Sequence, residues 1–259
     1  MKKGIVILSL VALVTANASA DIVSAKILMG EVLENLGSEP VFTLHKTGTE
    51  DYNGTSTTLE SVLVVKDVDP NPTIFNYRIE YRTFRNGTIT HRAAVDGNRI
   101  WFYSVAEKTY SSYTYYNVAP ASQSAVIFRN LNKLVGGEDQ LLMQLGQQAF
   151  EAALNGRNTS ASKWLPWTPV YSTLNDTPGS IQVESTVPIY RFLDYQTSNV
   201  AGINYLSRIV GHTELNRPGR YVVNDWNIEV IPTEFAGSVY TFVPPANARA
   251  IASATAQGV

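Results

Sequence analysis

Apolar and polar residues alternate most cleanly between Ile74 and Phe84. Phe75, Tyr77, Ile79 and Tyr81 fall on one parity; Asn76, Arg78, Glu80 and Arg82 fall on the other. Side chains on a strand point to opposite faces in turn, so this pattern predicts a strand with one apolar and one wet face. Other strands are predicted around it. Val41–Thr49 and Thr55–Lys66 flank Tyr52-Asn53-Gly54, and Thr88–Val95 follows Asn86-Gly87. Asn-Gly tolerates positive φ at both turn positions and is a strong hairpin signal. A Pro/Asp-rich loop, Asp67–Pro72, separates the second and third strands. After Asp96-Gly97 comes Ile100-Trp101-Phe102-Tyr103, apolar on both parities and so expected to be covered on both faces. Tyr110–Tyr116 is the sixth predicted strand.

Helical spacing appears in three places. Val23, Ile27, Leu33 and Leu36 share a face in Asp21–Leu36, with Gly37 as a stop. Ser124–Val135 and Asp139–Leu154 are predicted helices around Gly136-Gly137, the second with Leu141, Leu142, Leu145 and Ala149 along one side. A polar stretch, Asn155–Lys163, leads into Trp164-Leu165-Pro166-Trp167. Strands are then predicted at Ile181–Ser185, Ile189–Tyr195, Tyr205–Glu214, Tyr221–Ile231 and Val239–Val243, with Pro244-Pro245 ending the last. The tail after Ala246 is small and polar, which predicts fraying. The order of helix, six strands, two helices and further strands predicts a mainly β (α+β) fold. Its expected form is one curved antiparallel sheet of about eleven strands, a half-open incomplete barrel, with helices covering its concave face.

The N-terminus carries a different signal. Lys2 and Lys3 precede an apolar run, Gly4–Val14, and Ala18-Ser19-Ala20 has the small residues that signal peptidase reads. Residues 1–20 are therefore expected to be a cleaved signal peptide, and residues 21–259 a single periplasmic or secreted domain. The apolar run is shorter than the roughly 20 residues of a membrane helix, and no later segment reaches that length, so no integral membrane span is expected. Removing Lys2 and Lys3 from the 20 basic residues leaves 18 against 22 acidic ones. That balance argues against a nucleic-acid partner, which would want a basic stripe. There is no cysteine, which excludes disulfides, cysteine lipidation and thiolate-held metals. The sequons at Asn53, Asn86, Asn158 and Asn175 matter only in a eukaryotic secretory route, and the first two are turn residues in their own right.

Catalytic chemistry is hard to find. No Gly-x-Ser-x-Gly elbow and no phosphate-cradling glycine loop occurs. His45, His91 and His212 are scattered without metal-ligand spacing and read as strand residues rather than ligands. Asp67 and Asp69 read as turn residues. No catalytic residue, metal or cofactor is assigned, and a non-enzyme is expected. The aromatic residues are more informative. A tyrosine-rich strand surface over a large core explains them blandly. A cavity for an apolar ligand explains them functionally. Its expected lining is Phe75, Tyr77, Ile79, Tyr81, Trp101 and Tyr103. A third reading is a secreted carbohydrate-binding or structural protein, with Tyr110, Tyr115, Trp164 and Trp167 as an exposed platform for sugar rings.

Three segments resemble a known family. Asp96-Gly97-Asn98-Arg99-Ile100-Trp101-Phe102-Tyr103 is similar to the Asp-Gly-x-x-Leu-Trp-Phe-Tyr segment of periplasmic outer-membrane lipoprotein carriers of the LolA type. Pro72-Thr73-Ile74-Phe75-Asn76-Tyr77-Arg78 resembles their Pro-x-x-Phe-x-Trp strand. Tyr240-Thr241-Phe242-Val243-Pro244-Pro245 resembles their Phe-x-Phe-x-x-Pro close. The resemblance implies a half-open antiparallel barrel, helices as a lid, and a cavity for a lipid or lipoprotein acyl chain. It also implies an envelope protein as a partner, and a lipid-binding or envelope-sensing relative fits it as well as a carrier does. Two departures stand out. The carriers latch their lid with the arginine of a Lys-Arg-Pro turn, whereas the turn here reads Lys66-Asp67-Val68-Asp69-Pro70. The chain also has an added stretch around Trp164–Asn175.

Overall fold

The structure is a computed structural model, and it describes residues 28, 30–52, 54–67, 77–96, 99–114, 126–131, 139–155, 168–173, 180–184, 190–217 and 220–251. The expected signal peptide, Phe75, Tyr115, Trp164 and Trp167 lie outside these residues.

Among the described residues, twelve strands form one sheet. They are β1 (Val41–Tyr52), β2 (Thr55–Asp67), β3 (Tyr77–Arg85), β4 (Thr88–Asp96), β5 (Arg99–Ser104), β6 (Thr109–Thr114), β7 (Thr168–Thr173), β8 (Ser180–Glu184), β9 (Tyr190–Val200), β10 (Ile203–Arg217), β11 (Arg220–Ile231) and β12 (Arg249–Ala250). Their spatial order is β12-β6-β5-β4-β3-β2-β1-β11-β10-β9-β8-β7. Two antiparallel meanders thus meet where β1 pairs with β11, Thr43 opposite Ile231. The sheet is not closed into a barrel. This is the arrangement that the resemblance to LolA-type carriers implies. Among the described residues no helix is long and apolar enough to cross a membrane.

Local chemistry sets the register of the first meander. Asn86 (φ 48°) and Gly87 (φ 73°) make the β3–β4 turn with positive φ at both positions, as Asn-Gly predicts. The Asn86 side-chain oxygen also accepts a hydrogen bond from the Thr58 N–H at 2.9 Å. Ile79 then stands opposite Val95, and Tyr81 opposite Ala93.

Helices α1 (30–38), α2 (126–131) and α3 (Gln140–Asn155) cover one face. Val32, Leu33 and Leu36 of α1, Ile127, Phe128 and Leu131 of α2, and Leu141, Leu142, Leu145 and Phe150 of α3 join one core. Leu44, Leu63, Ile79, Val95, Ile100, Ile209 and Ile228 of the sheet complete it. Gly146 lets α3 lie close to β2: a Cβ there would collide with the Leu63 side chain and meet Phe128 Cε1 at 3.1 Å. The β9–β10 turn holds α1 in place. Asn35 donates to the Asn204 carbonyl at 2.6 Å, and the Asn204 amide donates to Glu31 at 3.1 Å.

The other face is crossed by the chain after β11, a strap over residues 232–248. The Thr43 hydroxyl donates to the Thr233 carbonyl at 2.7 Å. The Val239 N–H donates to Glu80 at 3.0 Å. Farther on, the Phe242 ring packs against Trp101, Tyr103 and Tyr110 at 5.7, 5.5 and 5.9 Å. Val239–Val243 is therefore not the predicted strand. It runs across the sheet rather than along it, and the Val239 N–H goes to a side chain, Glu80. The tail expected to fray is tied down at its start instead. Arg249 and Ile251 donate backbone hydrogen bonds to the Lys108 and Tyr110 carbonyls, which makes β12 a parallel edge to β6.

Candidate functional site

The alternation of β3 separates its side chains as predicted. Ile79 and Tyr81 point under the helices and are buried at 1% and 0% exposure. Tyr77 begins the strand opposite Asp67. Trp101 and Tyr103 do not join them, which corrects the expected lining. Ala93 pairs with Phe102 and Val95 with Ile100, so Ile100 and Phe102 share the face of Ile79 and Tyr81. Trp101 and Tyr103 therefore take the opposite face and stack on Phe242 of the strap. The physical reason is that β5 is apolar on both parities because both of its faces are covered. Apolarity alone could not say which parity faces the helices. Tyr110, one of the residues of the expected exposed platform for sugar rings, also packs against Phe242.

Where α3 begins, the helix face changes character. Asp139, directly before the helix, is buried and accepts three hydrogen bonds. Lys46 Nζ of β1 donates to Oδ1 at 2.7 Å; the Ser61 hydroxyl of β2 and the Tyr81 phenol of β3 donate to Oδ2. Burial alone would raise this carboxyl. The Lys46 charge and the three bonds outweigh it and hold the group below its ordinary value of 3.8. One carboxylate thereby ties the start of α3 to three neighbouring strands. Lys46 Nζ also lies over the Trp226 ring at 5.4 Å. The sequence held a trace of this network: Lys46 sits on the parity of Phe42 and Leu44, and a charge in an apolar row needs a buried partner. The partner itself, Asp139, is 93 residues away, and no local pattern points to it.

Beyond Asp139 the same face opens into a cavity of about 200 Å³. Besides Asp139, its walls are Lys46, Leu59, Glu60, Ser61, Tyr81, Thr83, Phe84, Arg85, Thr90 and His91. Thr83 and Thr90 share a hydroxyl hydrogen bond at 2.7 Å, and His91 Nδ1 lies 3.4 Å from Thr83 Oγ1. Arg85 donates to the buried Glu50 at 3.1 Å. Among the described residues no group of three or more His, Cys, Asp or Glu side chains is arranged to hold a metal ion.

No family model matches the chain, and no curated protein does. Among solved structures it is similar to an uncharacterized conserved protein from Thermus thermophilus, at 8% identity and TM-score 0.39, covering 89% of this chain and 99% of that one. A LolA superfamily protein from Nitrosomonas europaea is similar at 9% identity and TM-score 0.31, covering 84% and 97%. LprF from Mycobacterium bovis is similar at 10% identity and TM-score 0.29, covering 87% and 98%. Identities and scores of this size carry no property of those proteins to this chain.

Proposed function

We propose that this is an exported binding protein, not an enzyme, that holds an acyl chain or other apolar ligand between the helices and the sheet. The observation that supports the reading is how the apolar face is covered. The apolar face of a sheet can be covered by a second sheet, by closure into a barrel or by helices. Here separate helices seal it, and α3 is fastened at its start by a charged, hydrogen-bonded point, Asp139. A lid held by polar bonds over an apolar floor can lift without tearing the sheet. Ile79 and Tyr81 form the part of the expected lining that lies on this floor. The partners are a lipid or lipoprotein acyl chain and the envelope protein that supplies or receives it, in a periplasmic or secreted setting. The export half of the reading rests on the signal pattern of residues 1–20. Exported material whose N-terminus is still Met1 would refute it.

The ligand half is tested by displacement of a fluorescent fatty acid from the chain starting at Asp21. A chain without cysteine allows a lock. Gly146 lies against the Leu63 side chain, so a Leu63→Cys, Gly146→Cys pair can pin α3 to β2. Wild type and the reduced pair should bind the probe, and the oxidised pair should not. A folded wild type that binds no probe, or an oxidised pair that binds as well as the reduced one, would refute the reading.

A further inference from the structure

Resting on that reading, we infer that the cavity beside Asp139 is a head-group site for an oxyanion, a carboxylate or phosphate, carried at the end of the acyl chain. The helix face is divided at one level across neighbouring strands. On β1, Phe42 and Leu44 give way to Lys46; on β2, Val65 and Leu63 give way to Ser61; on β3, Ile79 and Tyr81 give way to Thr83 and Arg85. Register makes this a line, because Lys46 pairs with Ser61, Ser61 with Thr83 and Thr83 with His91. An apolar floor that ends in a polar cavity matches an amphiphile, tail on one side and head on the other. The size agrees. About 200 Å³ is below the roughly 300–1,000 Å³ of sites that hold a whole small molecule, and suits one end of a longer ligand.

The balance of donors and acceptors gives the head its charge. Asp139 already accepts from Lys46, Ser61 and Tyr81. Thr83 and Thr90 are bonded to each other. Arg85 uses one of its five N–H donors on Glu50, and its side chain is 45% exposed at the rim. His91 meets Thr83 through Nδ1, which leaves Nε2 for a ligand. Both lining carboxylates are thus occupied, Asp139 by its three donors and Glu60 by His45 Nε2 at 3.0 Å. The cavity offers the Arg85 guanidinium and the His91 Nε2, which donates when that nitrogen carries the ring proton. A ligand group made of oxygen acceptors completes that set, and guanidinium favours carboxylate and phosphate.

The experiment compares a fatty acid with the fatty alcohol of the same chain length, each displacing a neutral fluorescent lipid from the chain starting at Asp21. Inorganic phosphate is titrated alone in parallel. The acid should bind about tenfold tighter than the alcohol. Arg85→Gln and His91→Gln should each erase several-fold of that preference, with circular dichroism confirming the fold. Phosphate that binds alone, and is lost in Arg85→Gln, would support the same site and make a free anion its source. Acid and alcohol binding equally would overturn the head-group inference while leaving the carrier reading intact. If acid and alcohol both fail, the carrier reading falls; if phosphate fails with them, the oxyanion site falls too.

Discussion

The two faces of the sheet are built by the same strands and covered in opposite ways. On the helix face, Ile79, Tyr81 and Ile100 meet aliphatic side chains from α1, α2 and α3, and the charge there is gathered at the polar end, at Lys46–Asp139 and Arg85–Glu50. On the strap face, the intervening residues Glu80, Arg82, Trp101 and Tyr103 meet a single extended segment. Glu80 is 1% exposed and is held by Arg92 at 2.9 Å and by the Val239 N–H. Arg82 lies over the Phe235 ring at 5.3 Å. Rings and ion pairs suit a cover one chain thick, because each strap residue must satisfy polar groups as well as bury apolar ones. Interdigitated aliphatics suit helices, which bring several side chains per turn. A strand parity is thus assigned to a function by what covers it, and the alternation by itself is symmetric.

Three changes probe this contrast, the largest first. Asp139→Ala should cost about 3–5 kcal/mol in urea unfolding, since it strips the largely buried Lys46 of its carboxylate and two hydroxyls of their acceptor. A Lys46→Met, Asp139→Leu pair should recover most of the loss. The pH dependence has a definite sign. The Asp139 carboxyl is held below 3.8 when folded, so its contribution is complete above that value and fades as pH falls beneath it. An Asp139→Ala protein as stable as wild type would remove the latch from the helix face. On the strap face, Phe242→Ala removes three ring contacts. It should cost about 2 kcal/mol, given partial exposure. Amide exchange should quicken at Arg249 and Ile251 but not in α3; equal quickening in both would make the covers one unit. The smallest effect is expected at Gly87→Val. Its Cβ would meet nothing within 4 Å, so only backbone strain at φ 73° opposes it, at roughly 1 kcal/mol. A melting temperature unchanged by Gly87→Val would undo the turn that fixes which parity of β3 faces which cover.

Much of the strand order was legible because it is written locally. Asn86-Gly87 and the residues around Gly54 marked hairpins, and β1, β2, β4 and β11 begin within a residue of the predicted positions. The helix at Asp139–Leu154 was legible from its leucine spacing and is α3, Gln140–Asn155. What failed was whatever depends on long-range cover. β7 lies in the stretch read as an addition, and its pairing with β8 has no tight Asn-Gly turn to announce it. The apolar run Val239–Val243 predicts a strand by its composition, although its residues answer to Glu80 and to a ring cluster elsewhere. Of the expected lining, Ile79 and Tyr81 share a face, and Trp101 and Tyr103 stand on the other. The polar cavity was not foreseen, since Lys46, Arg85, His91 and Asp139 meet only through register.

The neighbours of β1 have a consequence for how the molecule assembles. On one side it pairs with β2, the next strand in the chain. On the other it pairs with β11, and the strap bond between Thr43 and Thr233 spans 190 residues. The first meander can zip from its hairpins as soon as it is made, but it then carries β1 as an open edge. Contacts this distant are slow to form, and an open edge of paired-strand length invites pairing with another chain. The seam between the two halves therefore closes late, in the centre of the sheet. A chain truncated before β11 would lose the join between its halves rather than a strand from its rim.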